Sequence, residues 1–222
     1  MGQFIKLIAS DGHSLSAYDA EPKDSPRGGV VVVQEVFGVN RHIRKVADDF
    51  AAAGYRALAP ALFDRVERGA ELGYGEQELS RALTLRKGVT FEQALLDIAA
   101  AVEALRPAGR INVVGYCWGG TLAWLAATRI GKLAAVSSYY GGGIGQFINE
   151  RPQCPVQLHF GERDQHIPLT EVDALRKAQP TAAVYTYAAE HGFNCDERPS
   201  YQAESAQLAR ERTLALFAKA LG

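Results

Sequence analysis

The sequence predicts an α/β protein, a mostly parallel central sheet with helices on both faces. Three observations carry that expectation. Short β-branched apolar runs recur along the chain, as in "GGVVVVQE" at 28–35 and "INVVGY" at 111–116. Segments with apolar residues at helical spacing fall between them. The runs are apolar at consecutive positions, which suits strands buried on both faces, the condition of a parallel sheet. With 222 residues, 47% of them hydrophobic, the chain is expected to form a single domain, 1–222, with a sizeable core.

The elements read in order as follows. Val30 to Gln34 is the first central strand, entered from a Ser-Pro-Arg-Gly-Gly turn. In "NRHIRKVADDFAAAGY" Ile43, Val46 and Phe50 share one helix face, and Gly54 supplies the stop. "RALAPAL" is the next strand, ended by Pro60. Residues 63–88 hold Gly69, Gly73 and Gly75 among many charges, and read as an irregular insertion over the sheet edge, or a lid. "TFEQALLDIAAAVEALRP" is a helix with Thr90 as N-cap and a stripe of Leu95, Ile98, Val102 and Leu105. Beyond it come the strand "INVVGY", the helix "TLAWLAATRI", the strands "LAAVSSYYG" and "PVQLHFG", the helix "EVDALRKAQ" and the strand "TAAVYTYA". A last helix carries Leu208, Leu214 and Phe217 as its apolar face.

Charge and leader signals narrow the function classes. Lys and Arg number 24 against 25 Asp and Glu, a net charge of -1, with no basic stripe. Neither nucleic acid nor an anionic membrane surface is an expected partner. The start "MGQFIKLIASDGHSL" lacks a signal-peptide core, and no run approaches the roughly 18 apolar residues of a membrane span. A soluble cytoplasmic protein is expected. The three cysteines, Cys117, Cys154 and Cys195, form no C-x-x-C pair, so neither a disulfide framework nor a metal site is expected, and no cofactor is implied.

In an open parallel sheet, ligands bind at the carboxyl ends of the strands. Four chemically capable residues stand just there: Glu35, Cys117, Asp164 and His191. Gly115-Tyr116-Cys117-Trp118-Gly119 has the form of a nucleophile elbow, G-x-S-x-G, with sulfur in place of oxygen. A nucleophile on a sharp strand-to-helix turn needs glycines where side chains would meet backbone. The helix behind it offers unpaired N–H groups and a positive dipole end, which favour a thiolate and a developing oxyanion. A buried thiol filling a glycine-rich turn is the plain alternative. His191 is the best of five histidines for the base, with His166 its one serious rival and His159 better placed as a core residue. Asp164 is the acid preferred to orient the ring, although Asp in such a loop also serves as an Asx-turn or cap.

These stretches together resemble the dienelactone hydrolase family, of the α/β-hydrolase fold. The resemblance runs over nearly the whole chain, on "QEVFGVN" at 34–40, "GYR" with "APALF" at 54–63, "VVGYCWGG" at 113–120, "YYGGGI" at 139–144, "GERDQHIP" at 161–168 and "HGF" at 191–193. It implies a hydrolase of small-molecule carboxylic esters or lactones, possessing a Cys117, His191, Asp164 triad. It implies further that Glu35 helps the thiol ionise, that the N–H groups of Val36 and Trp118 hold the oxyanion, and that Phe37, Tyr139 and Tyr140 line the pocket. The family's best-known member binds a substrate carboxylate with two arginines. Here the position four after His191 is Cys195, so Arg81, Arg86 and Arg198 are the candidates and the substrate is left open. The runner-up is a non-catalytic ligand-binding or thiol-sensing protein on the same fold. Oligomeric state is not legible.

Overall fold

A computed structural model describes residues 2–222. Eight strands, β1 (Gln3–Ile8), β2 (Ser14–Ala20), β3 (Gly29–Val33), β4 (Arg56–Pro60), β5 (Ile111–Tyr116), β6 (Ala135–Tyr139), β7 (Val156–Gly161) and β8 (Ala183–Tyr187), follow the sheet order β1-β2-β4-β3-β5-β6-β7-β8. Six α-helices accompany them: α1 (Arg41–Ala52), α2 (Glu76–Lys87), α3 (Phe91–Leu105), α4 (Trp118–Arg129), α5 (Leu169–Ala178) and α6 (Ala203–Leu221). The chain divides into two compact units, Met1–Val113 and Val114–Gly222.

In the first unit β1 pairs antiparallel with β2 and β2 with β4, while β3 and β4 run parallel. Every residue of β3 is buried, as its unbroken valine run requires. Helix α1 begins at Asn40, whose side chain accepts from the Ile43 N–H, and ends before Gly54 at φ +90°. Thr90 caps α3 as expected, and Gln93 completes a capping box. The stripe of Leu95, Ile98, Val102 and Leu105 is buried. A buried ion pair joins Arg65, in a 3₁₀ turn at Leu62–Arg65, to Asp97 of α3 through two 2.8 Å bonds.

In the second unit β6, β7 and β8 run parallel, with α4 packed on β6 and α6 on β6 and β7. Its core is built on Trp124, Tyr139, Phe160, Phe193 and Phe217. His159 on β7 is a core residue, stacked on Tyr139 at 4.6 Å. Its Nδ1 meets the Tyr187 hydroxyl at 2.7 Å and its Nε2 the Ser137 hydroxyl at 3.1 Å. Burial, with Arg212 acting in the same direction, pushes its pKa down to about 3.

The structure departs from the sequence reading at four places. Strands β1 and β2 were not anticipated; β1 exposes Phe4 and Ile8 and buries only Leu7, so it carries no clear alternation. Residues 63–88 are not irregular: they contain the 12-residue helix α2. That helix buries only Ala82 and Leu85, too little to imprint a helical period. Helix α4 begins at Trp118, three residues before the run that marks it. In α6, Leu208 is exposed, and the buried face is Ser205, Ala206, Ala209, Thr213 and Phe217.

Candidate active site

The second unit assembles a thiol, an imidazole and a carboxylate. Cys117 sits between β5 and α4 at φ 55° and ψ -117°, a conformation that side chains rarely adopt. Gly115 makes that turn possible. A Cβ on Gly115 would lie 1.9 Å from the Gly119 carbonyl oxygen. The Cys117 N–H donates to the Tyr139 carbonyl at 3.0 Å, fixing the turn to the end of β6. Its own carbonyl accepts from the Gly120 N–H at 2.9 Å, so the helix winds directly from the cysteine. The N–H groups of Trp118 and Gly119 belong to the first turn of α4, where the α-helical ladder supplies no acceptor.

His191 lies in the turn after β8, with Gly192 at φ +79° beside it. Its Nδ1 meets Asp164 Oδ2 at 2.7 Å, and the ring also hydrogen-bonds the Cys117 thiol. Asp164 performs both tasks open to it in that loop. Its Oδ1 accepts from the His166 N–H at 2.8 Å, an Asx-type turn, while Oδ2 holds the histidine. The turn thereby locks the carboxylate that locks the ring. Burial disfavours charge on His191, yet hydrogen bonds with Asp164 and Cys117 and the field of both groups push its pKa up to about 10. With Nδ1 facing a carboxylate, Nε2 is the nitrogen left to exchange a proton with sulfur.

Tyr140, at φ 40°, is fully buried and places its ring 5.0 Å from that of His191. Tyr139 points into the core instead, where its hydroxyl meets Thr213 Oγ1 at 2.8 Å and burial raises its pKa well above the ordinary value. His166, the rival base, stands edge-on to His191 at 5.2 Å. A cavity of about 190 Å³ lies beside His191, with Arg163, His166, Arg198 and Ser200 in its wall.

In the first unit Glu35 follows β3 with its side chain fully buried, and Val36 and Phe37 are buried beside it. Glu35 Oε2 accepts from the Tyr74 hydroxyl at 3.1 Å, and the Phe37 ring meets that of Tyr74 edge-on at 4.6 Å. Of the candidate arginines, Arg81 is ion-paired with Glu67 and Arg86 lies 5.3 Å over the Phe91 ring. Arg198 lines the cavity that His191 also lines. Sequence reasoning passed over Tyr74. The one signal for it is an aromatic residue between glycines, "LGYGE", in a segment otherwise charged. Among the described residues no group of three or more His, Cys, Asp or Glu side chains is arranged to hold a metal ion. No helix among them is long and apolar enough to cross a membrane.

The eight-stranded, mostly parallel sheet with its helices is that of the α/β-hydrolase fold. The chain belongs to the dienelactone hydrolase family, whose model matches residues 15–221. It is 31% identical to the carboxymethylenebutenolidase of Pseudomonas putida, over 96% of this chain and 95% of that one. A provisionally named carboxymethylenebutenolidase of Yersinia pestis is 36% identical over 95% of this chain and 85% of its own length. The crystal structure of a provisionally named dienelactone hydrolase from Klebsiella pneumoniae superposes with a TM-score of 0.80 at 33% identity, covering 97% of this chain and 99% of that one.

Proposed function

We propose that the chain hydrolyses carboxylic esters or lactones with Cys117 as nucleophile, His191 as proton carrier and Asp164 as the group that orients it. One observation carries the reading: a single imidazole bonded on one side to a buried carboxylate, at 2.7 Å, and on the other to a thiol held in a strained elbow. A packing cysteine has no use for that strain or for an oriented base. The Cys117 S–H proton passes to His191 as the sulfur attacks the carbonyl carbon, and the carbonyl oxygen takes up the negative charge. The Trp118 N–H, at the start of α4, is a fitting donor for it. The C–O bond of the ester breaks and His191 gives its proton to the departing alkoxide. In a lactone that alcohol stays tethered to the acyl group. Water, deprotonated by His191, then cleaves the thioester, releasing the acid and returning the proton to sulfur.

Family resemblance adds the Val36 N–H as the second oxyanion donor and Glu35 as the group that helps the thiol ionise. It also adds Phe37 and Tyr140 as pocket residues. For a substrate carboxylate, Arg198 is the best supported of the three arginines, since it shares a cavity wall with His191. The family match over residues 15–221 supports one continuous domain.

The test is p-nitrophenyl acetate hydrolysis together with a set of lactones bearing or lacking a free carboxylate. Iodoacetamide is expected to label Cys117 and abolish turnover, and Cys117→Ala to be inactive though folded. Arg198→Ala is expected to weaken binding of the carboxylated lactones alone. Full activity in Cys117→Ala ends the reading.

A further inference from the structure

We infer that Tyr74 is a positioning residue for Glu35, an inference that rests on the reading of Glu35 as the group that helps the thiol ionise. Both residues lie in the first unit, and the argument is one of proton placement. A phenol has one proton to give and an oxygen that can also accept. The Tyr74 oxygen accepts from Asn40 Nδ2 at 3.2 Å. Its proton goes to Glu35 Oε2, at 3.1 Å. Asn40 therefore sets the direction of the Tyr74 hydroxyl, and the hydroxyl fixes one oxygen of a fully buried carboxylate. A carboxylate held by a donor keeps one rotamer and one oxygen in a defined role.

Tyr74 is itself held from several sides. The Leu72 N–H donates to the Phe37 carbonyl at 2.9 Å, and Asn40 Nδ2 also donates to the Leu72 carbonyl at 3.1 Å. Gly38, at φ +80°, lets this segment pass so closely that a Cβ there would lie 2.0 Å from the Ala70 carbonyl oxygen. The Phe37 ring braces the tyrosine edge-on. Asn40 meanwhile caps α1 through Oδ1, so its amide cannot turn over without losing the cap. The segment leading into α2, read from sequence as insertion or lid, thus delivers one hydroxyl to one carboxylate oxygen.

The experiment compares Tyr74→Phe, Glu35→Gln and the double variant on p-nitrophenyl acetate, with thermal unfolding as the check on folding. Tyr74→Phe keeps the ring contact with Phe37 and removes only the hydroxyl. Its kcat is expected to fall about tenfold with KM within about twofold, the size of one charge-assisted hydrogen bond. The double variant is expected to be no slower than Glu35→Gln alone, because Tyr74 acts through Glu35. Asn40→Asp is the second probe: it keeps a helix cap but sets an acceptor where a donor stood, drawing the phenol proton away from Glu35. It is expected to lower kcat in the same way, and it replaces Tyr74→Phe should that variant not fold. Unchanged kcat in a folded Tyr74→Phe or Asn40→Asp, with Glu35→Gln impaired, overturns the role of Tyr74 and leaves that of Glu35 standing. Losses that multiply in the double variant also overturn it. Full kcat in Glu35→Gln with Cys117→Ala inactive removes both roles and leaves Cys117, His191 and Asp164 as proposed.

Discussion

Two histidines of the second unit have opposite environments, and the sign of each can be worked through. His191 gains a carboxylate and a thiol as partners, so its folded pKa of about 10 lies above the ordinary value of 6.5. Its contribution to stability is complete below pH 6.5 and is lost as pH rises from there toward 10. His159 is stripped of water and holds only neutral partners on its nitrogens, so its folded pKa, about 3, lies below 6.5. The unfolded chain takes up a proton below 6.5 that the folded ring refuses until about 3, and stability is lost across that interval. Near pH 6.5 the unfolded His191 is still taking up its proton and offsets the slope of His159. Between about pH 5.5 and 5 that offset has faded while most carboxylates stay ionised. Urea unfolding in that window is therefore expected to show a decline approaching 1.4 kcal/mol per pH unit. The decline is expected to vanish in a folded His159→Gln. A flat profile in the unsubstituted protein would mean that His159 is charged in the fold. On the alkaline side, kcat/KM is expected to fall as pH passes about 10, where His191 of the free enzyme no longer holds a proton.

At the scale of the element, helix starts divide into those that serve stability and those that serve chemistry. Thr90 caps α3 with its side chain, and Gln93 reciprocates at 3.0 Å. Thr90→Ala is expected to lower unfolding stability by about 1 kcal/mol and to leave kcat/KM unchanged. The start of α4 has no side-chain cap; the cysteine at that position is in a strained conformation instead. Gly115→Ala there pushes a methyl group into the Gly119 carbonyl, so the elbow must shift. It is expected to lose activity far out of proportion to its loss of stability, as measured by p-nitrophenyl acetate hydrolysis beside thermal unfolding. Equal losses in both would make the elbow an ordinary packing turn. The same contrast explains what was legible. Strands β3 and β5 and helix α3 announce themselves because burial on every side writes a continuous apolar run or a full stripe. The elbow is legible because close backbone approach admits only glycine. Helix α2 escapes because it buries only two residues. The last helix is legible but its inner face is misjudged, because α6 buries mainly small and polar side chains beside Phe217. The dual role of Asp164 was visible only as two alternatives. Sequence order says that a carboxylate follows β7, and only the folded loop shows one oxygen on the His166 N–H and the other on His191.

For the molecule as a whole, the long-range field is weak, with 24 positive side chains against 25 negative. An enzyme that gathers an anionic substrate by its overall charge shows a kcat/KM that falls steeply with ionic strength. A net charge of -1 gives no such pull. Under the proposed reading any preference for an anionic substrate is local, at Arg198 in a cavity wall that also holds Arg163, Glu190 and His191. Charges in contact with a substrate lie well inside the roughly 8 Å screening length at physiological salt, so added salt weakens them little. If Arg198 holds a substrate carboxylate, kcat/KM for a carboxylated lactone is expected to change less than about threefold between 10 and 150 mM sodium chloride. Its preference over the uncharged analogue is expected to persist at both. A tenfold fall would assign the preference to a diffuse field rather than to a contact. Arg198→Ala would then reduce the preference no more than substitution of any other surface arginine. The comparison thus separates recognition by one guanidinium from attraction by a surface, which the near-equal numbers of charges alone do not decide.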